Sequence, residues 1–206
     1  YMRTDSTGLS PEAISDVRNY IGKKIGADYL PEQANFYSSG KNAQQAHEAI
    51  RPTDVDLVPA DIRSFLTNDQ FRLYDMIWRR FVASQMTPAR WDITNLDITA
   101  AASIGTCLYR ATGRRMVFDG FTKIWPSLSD QQQLPELKKG QSLAAVDIKA
   151  EQHFTKPPAR YTEASLVKVL EKEGIGRPST YASIISTIQE RGYVEQIDRK
   201  FFATPL

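Results

Sequence analysis

The apolar residues of this chain change period twice along its length, and no single regular architecture accommodates that. Ile14, Val17, Ile21 and Ile25 recur at helical spacing, as do Phe71, Tyr74, Ile77, Trp78, Phe81 and Val82. From Trp91 and Ile93 to Leu96 and Ile98 the pattern becomes strand-like alternation, with threonines between. Leu166, Val167 and Leu170, then Tyr181, Ile184, Ile185 and Ile188, return to the helical period. The expected product is an α+β molecule of several lobes, mainly helical with a small antiparallel β region, divided as 1–87, 88–150 and 151–206.

Local chemistry marks the ends of these elements. Ser10-Pro11 offers a hydroxyl cap and a proline at the first helical position, and Gly26 offers a stop. The polar segment 30–45 reads as loop. Thr67 and Gln70 have capping-box spacing for a helix from Asn68 to Met86, which Thr87-Pro88 ends. Leu108 to Phe118 predicts two strands joined by a turn at Gly113, and Leu143, Ala145 and Ile148 predict a further strand, with a Ser/Gln/Lys-rich loop at 127–141. Pro157-Pro158 marks a linker, Thr162 caps a helix that ends at Gly174, and a second helix runs from near Arg177-Pro178 to Gly192. Residues 193–194 and 200–203 then suit a hairpin around Asp198-Arg199. Helix, turn, helix, hairpin is the order of a winged-helix-like unit.

Composition bounds the function. With 26 basic and 24 acidic residues the net charge is only +2, so any nucleic-acid surface must come from local clustering. Cys107 is the only cysteine, which rules out an internal disulfide framework and a cysteine-based zinc site. His47 and His153 are too far apart in sequence to form a metal-ligand pattern. No apolar run approaches the roughly 20 residues that cross a bilayer. These features predict a soluble, cytoplasmic protein. Opening on Tyr1, without an initiating methionine and inside a motif, the chain is expected to be a piece of a longer one.

Three constellations carry chemistry. Tyr1 and Arg3 point the same way in an extended segment, so both can address one phosphate. A phenol with an ordinary pKa near ~10 needs such help, because a cation favours the phenolate and neutralises the attacked group. A terminal strand with a solvated arginine fits the same two residues. If 46–50 forms one helical turn, His47 and Arg51 share a face beside Glu48, offering a proton carrier and a bidentate phosphate ligand. A surface turn with one Glu–Arg pair is the plainer reading. In Gly174-Ile175-Gly176-Arg177-Pro178-Ser179-Thr180-Tyr181, two glycines allow close backbone approach to a ligand, and Arg177, Ser179 and Thr180 gather donors at a helix start. An ordinary helix–helix turn explains these residues equally well. Arg191 ends that helix, where a cation suits either its dipole or DNA. Arg110, Arg114 and Arg115 form a basic strand edge or a solvated sheet face.

Four stretches together resemble bacterial type IA DNA topoisomerases, in the topoisomerase I branch: Tyr1 to Ser6, Ala46 to Thr53, His153 to Arg160, and Glu163 to Val194. The resemblance spreads over essentially the whole chain. It implies that Tyr1 is the nucleophile that leaves a 5′-phosphotyrosine link, that Arg3 and His47 act at the scissile phosphate, and that Arg51, Arg177, Ser179, Thr180 and Arg191 contact DNA. It implies relaxation of negatively supercoiled DNA without ATP, with single-stranded and supercoiled DNA as partners in the nucleoid. It further implies a Mg²⁺ cofactor whose carboxylate ligands lie outside this chain, and hence a fragment inactive by itself. The competing expectation is a non-catalytic single-stranded DNA-binding module built on 151–206, with Tyr1 incidental.

Overall fold

The computed structural model describes residues 4, 6–37, 47–103, 105–126 and 131–205. The chain divides into two compact units, Tyr1–Gln141 and Ser142–Leu206.

Two helices organise the first unit. Helix α1 (Pro11–Tyr20) starts as its sequence directs: the Ser10 hydroxyl accepts the Ala13 N–H at 3.2 Å, and Pro11 fills the first turn. Ile21–Ile25 continues as a π turn that the helical period does not predict, closed by the Gly26 N–H on the Ile21 carbonyl at 2.9 Å. Helix α2 (Asn68–Ser84) carries the full capping box, Thr67 on the Gln70 N–H and Gln70 back on the Thr67 N–H. The inner faces of the two helices meet over Val17, Ile21, Trp78, Phe81 and Val82, with Val55 and Met86 closing the cluster. The Trp78 and Tyr20 rings stand edge to face at 5.6 Å, and Trp78 Nε1 donates to the Val55 carbonyl at 2.9 Å. Each such buried side chain contributes about 1.5–3 kcal/mol of apolar transfer. Gln85 is fully buried and satisfied: it exchanges two hydrogen bonds with the Asn35 backbone, at 2.8 and 3.1 Å. The described part of the expected loop, up to residue 37, contains no helix or strand beyond the short turns; its remainder, 38–45, falls outside the described residues.

Strands β1 (Arg90–Ala102) and β2 (Gly105–Phe118) form one long antiparallel ribbon, paired from Arg90↔Phe118 to Ala102↔Gly105. This corrects the expected turn at Gly113: β2 runs straight through it. The glycine is there because another segment crosses close by. A Cβ at Gly113 would lie 2.7 Å from Leu134 Cγ and 2.8 Å from the Gln132 carbonyl. The Arg114 N–H bonds that same carbonyl at 2.7 Å, so residue 132 extends the edge of β2. The base of the ribbon is pinned to the helical part by Tyr29, whose hydroxyl donates to Asp119 Oδ1 at 2.8 Å and whose ring lies 5.1 Å from Phe118.

The second unit is smaller. Thr162 and Ser165 cap α3 (Glu163–Lys172) reciprocally, and α4 (Tyr181–Glu190) follows after a turn. Strands β3 (Val194–Ile197) and β4 (Lys200–Ala203) pair around Asp198 and Arg199, both at positive φ, 49° and 62°. Phe201 and Ile185 are its buried residues, and the Phe201 N–H bonds the Tyr161 carbonyl at 2.8 Å, tying the hairpin to the entry of α3. At the start of this unit no strand forms at 143–148: Val146 and Ile148 are 99% and 72% exposed. Alternation makes a strand only where a ladder partner and a covered face exist, and among the described residues this run has neither. The expectation of a mainly helical chain is met only in part: among the described residues about a third are helix and about a fifth strand.

Candidate active site and nucleic-acid interface

The segment 47–51 is not a helical turn; it runs extended beside residues 6–10. The Ala49 N–H donates to the Gly8 carbonyl at 2.8 Å, and the Ser10 N–H donates to Glu48 Oε1 at 3.1 Å. His47 and Arg51 therefore do not share a helix face. The extended run instead draws the His47 motif against the segment that continues from Tyr1, across nearly forty residues of sequence. Tyr1 and Arg3 themselves lie outside the described residues. His47 is half-buried.

Arg51 grips the Glu48 carboxylate side-on, Nε to Oε1 at 2.7 Å and Nη2 to Oε2 at 3.4 Å, while Nη1 donates to the Pro52 carbonyl at 3.2 Å. All three guanidinium nitrogens are thus engaged within the chain. The Arg51 hydrogen bond, with the Ser10 N–H adding to it, holds the Glu48 carboxyl below its ordinary pKa against the opposing effect of burial.

A cleft of about 880 Å³ opens beside this junction. Thr4, Ser6 and Thr7 line it from the N-terminal segment, Ala49 and Ile50 from the His47 segment, and Arg80 and Ser84 from α2. Phe36, Tyr37 and Trp125 add aromatic wall, and Arg80 stands 5.4 Å over the Trp125 ring. The sequence reading missed these residues, because only the fold collects them from segments far apart in the chain. Two other tyrosines have the wrong environment for a nucleophile. Burial, then nearby aspartates, raises the pKa of Tyr20 and Tyr74, opposite to what phenolate attack needs.

In the second unit the turn before α4 brings Arg177, Ser179 and Thr180 together, all exposed. Its hydroxyl is already in use, because Thr180 Oγ1 accepts the Arg177 N–H at 2.8 Å and lies 3.1 Å from the Arg177 carbonyl. This turn delays the helix start from the expected Arg177-Pro178 to Tyr181. Gly176 serves the fold: at φ +76°, a Cβ there would lie 2.7 Å from Ile184 Cδ1. Arg191 is exposed at the far end of α4, about 15 Å of helix away, so it does not join that cluster. On the ribbon, Arg110 and Arg115 pair across the strands with Asp97 and Asp92 at 2.8 and 3.2 Å, which leaves a solvated sheet rather than a basic stripe. His153 is 3.4 Å from Glu151 at an exposed position. Among the described residues no group of three or more His, Cys, Asp or Glu is arranged to hold a metal ion, and no helix is long and apolar enough to cross a membrane.

Comparison with known proteins follows the same line. A family model described as DNA topoisomerase matches residues 1–206. The DNA topoisomerase 1 of Pseudomonas aeruginosa is 56% identical over 206 residues, 98% of this chain and 23% of that protein. That of Escherichia coli is 53% identical with the same coverage. Full-length topoisomerase I from Thermotoga maritima superposes with a TM-score of 0.82 at 39% identity, over 99% of this chain and 32% of that one. The chain spans about a quarter to a third of the length of these relatives.

Proposed function

The chain belongs to the DNA topoisomerase family, and on that premise we propose that it is the nucleophile-bearing part of a type IA enzyme acting on single-stranded and negatively supercoiled DNA. Residues 1–87 are the lobe that carries the nucleophile, 88–150 contribute strands to an arch, and 151–206 bind a single strand. The supporting observation is the junction itself: the Gly8–Ala49 and Ser10–Glu48 hydrogen bonds, at 2.8 and 3.1 Å, hold the segment after His47 against residues 8–10, a few positions along the chain from Tyr1.

The Tyr1 hydroxyl gives up its proton as its oxygen attacks a backbone phosphorus; the P–O3′ bond breaks, and the departing 3′ oxygen takes up a proton to become a hydroxyl, so the exchange is proton-neutral overall. Arg3 neutralises charge on the phosphate, and His47 donates to one of its oxygens. The 5′-phosphotyrosine conserves the bond energy, so another strand can pass and the 3′-hydroxyl can reseal the break without ATP. Exposed Arg177, Ser179 and Arg191 hold the strand by its phosphates, with Thr180 fixing the turn that presents Arg177. A Mg²⁺ ion in the full-length protein would lend positive charge at the phosphate. The described residues do not fit such an ion, so no step of this chain is routed through one. The carboxylates for it belong to the remainder of the full-length protein, and the 206 residues alone do not relax DNA.

End-labelled oligonucleotides test the polarity of the link in the full-length protein. A 3′-labelled strand should yield labelled protein after denaturation, and a 5′-labelled strand only a shortened free product. The reverse pattern would contradict the type IA assignment.

A further inference from the structure

We propose that Glu48 is a positioning residue for strand cleavage: a clasp that fixes the His47 segment against the segment running from Tyr1 into α1. The proposal rests on the catalytic reading of Tyr1 and His47 above.

Three ties meet within two consecutive residues. Glu48 Oε1 accepts the Ser10 N–H at 3.1 Å and the Arg51 Nε–H at 2.7 Å, while the next residue, Ala49, donates its N–H to Gly8 at 2.8 Å. Ser10 is the N-cap of α1, and its hydroxyl is spent on the Ala13 N–H at 3.2 Å. Its amide is therefore the group left to bind the other segment, and it meets a side-chain carboxylate rather than a ladder carbonyl. That choice leaves the second of the two ties, beside the backbone bond from Ala49 to Gly8, dependent on one side chain. Arg51 orients the carboxylate from the opposite side and has Nη1 on the Pro52 carbonyl at 3.2 Å, so the acceptor cannot swing away freely. The Glu48 side chain is only 23% exposed, so water competes weakly for it. A carboxylate saturated by an arginine and a backbone amide is poorly suited to carry a proton. Its contribution is geometric, through His47, its immediate neighbour in the chain. The sequence pattern offers Glu48 as a surface ion-pair partner of Arg51; the contact with Ser10, 38 residues away, gives it a different role.

Single-turnover cleavage of a single-stranded oligonucleotide by the full-length protein tests this, with the Kd for the same oligonucleotide measured alongside. Glu48→Ala is expected to slow adduct formation by about 10- to 100-fold, the scale of a small misplacement at a reacting centre, with Kd nearly unchanged. Glu48→Gln keeps an oxygen for the Ser10 N–H and should recover most of the rate. Glu48→Asp keeps the charge but loses a methylene of reach, and should be slower than Glu48→Gln. That order still decides the matter if Glu48→Ala does not fold. Cleavage unaffected by Glu48→Ala, or Glu48→Asp outperforming Glu48→Gln, would overturn the clasp, and so would a loss confined to Kd. An adduct that persists in Tyr1→Phe would instead overturn the catalytic reading beneath it.

Discussion

At Gly120 the backbone takes φ +50°, and a Cβ would lie 2.5 Å from both the Pro88 carbonyl carbon and the Thr87 oxygen. Backbone atoms cannot step aside as a side-chain tip can, and the neighbouring Phe121 N–H is bonded to that same Thr87 oxygen at 2.9 Å. Gly120→Ala should therefore combine a left-handed penalty of about 1–2 kcal/mol with overpacking of about 1–3 kcal/mol. Gly140 has φ +80° and open space around it, so Gly140→Ala should show only the first. Urea unfolding of the two variants checks the difference; equal losses would contradict it. Glu48 supplies a second residue-scale test. Its carboxyl is depressed in the folded chain, so its stabilisation is complete above the ordinary carboxylate pKa and is lost as pH falls through the lower folded value. Glu48→Gln should flatten the acid limb of a stability–pH profile and leave its neutral-to-basic limb parallel to that of the unsubstituted chain.

Elements whose ends are set by neighbouring residues were legible in the sequence. The caps at Ser10, Thr67 and Thr162, the hairpin around Asp198-Arg199 and the apolar face around Trp78 all depend on contacts a few residues apart. Thr67→Ala should cost about 1 kcal/mol, because one end of the reciprocal cap is lost. The hairpin tip invites the opposite change. Arg199 sits at φ 62°, where a side chain is strained, so Arg199→Gly should raise stability by about 0.5–1 kcal/mol in thermal melts. What the sequence did not yield depends on segments far apart. Gly113 resembles a turn until the approach of Leu134 is seen, and the run at 143–148 resembles a strand although no described partner covers it. Glu48 belongs with these, since its decisive contact is with Ser10.

At the scale of the whole molecule, the second of the two units, Ser142–Leu206, opens with chain that is exposed and free of helix or strand up to Thr162. Limited trypsin digestion should cut early after Lys149, where the chain is open, while Lys156 resists because Pro157 follows it. Mass spectrometry of the first fragments reads this out, and early cuts inside α1 or α2 would contradict it. The site divides in the same way as the fold: residue types with a strong chemical identity stand out in the sequence, and their placement does not. His47 and Arg51 were expected on one helical face, whereas hydrogen bonds from Ala49 to Gly8 and from Ser10 to Glu48 tie their segment to residues 8–10 instead. The central claim is that this junction serves a tyrosine nucleophile. Its most direct test is to incubate the full-length protein and its Tyr1→Phe variant with a 3′-labelled single-stranded oligonucleotide and Mg²⁺, denature, and look for label on the protein. A covalent adduct with tyrosine and none with phenylalanine is the predicted result. An adduct that survives the substitution, or none from either protein, would contradict the claim.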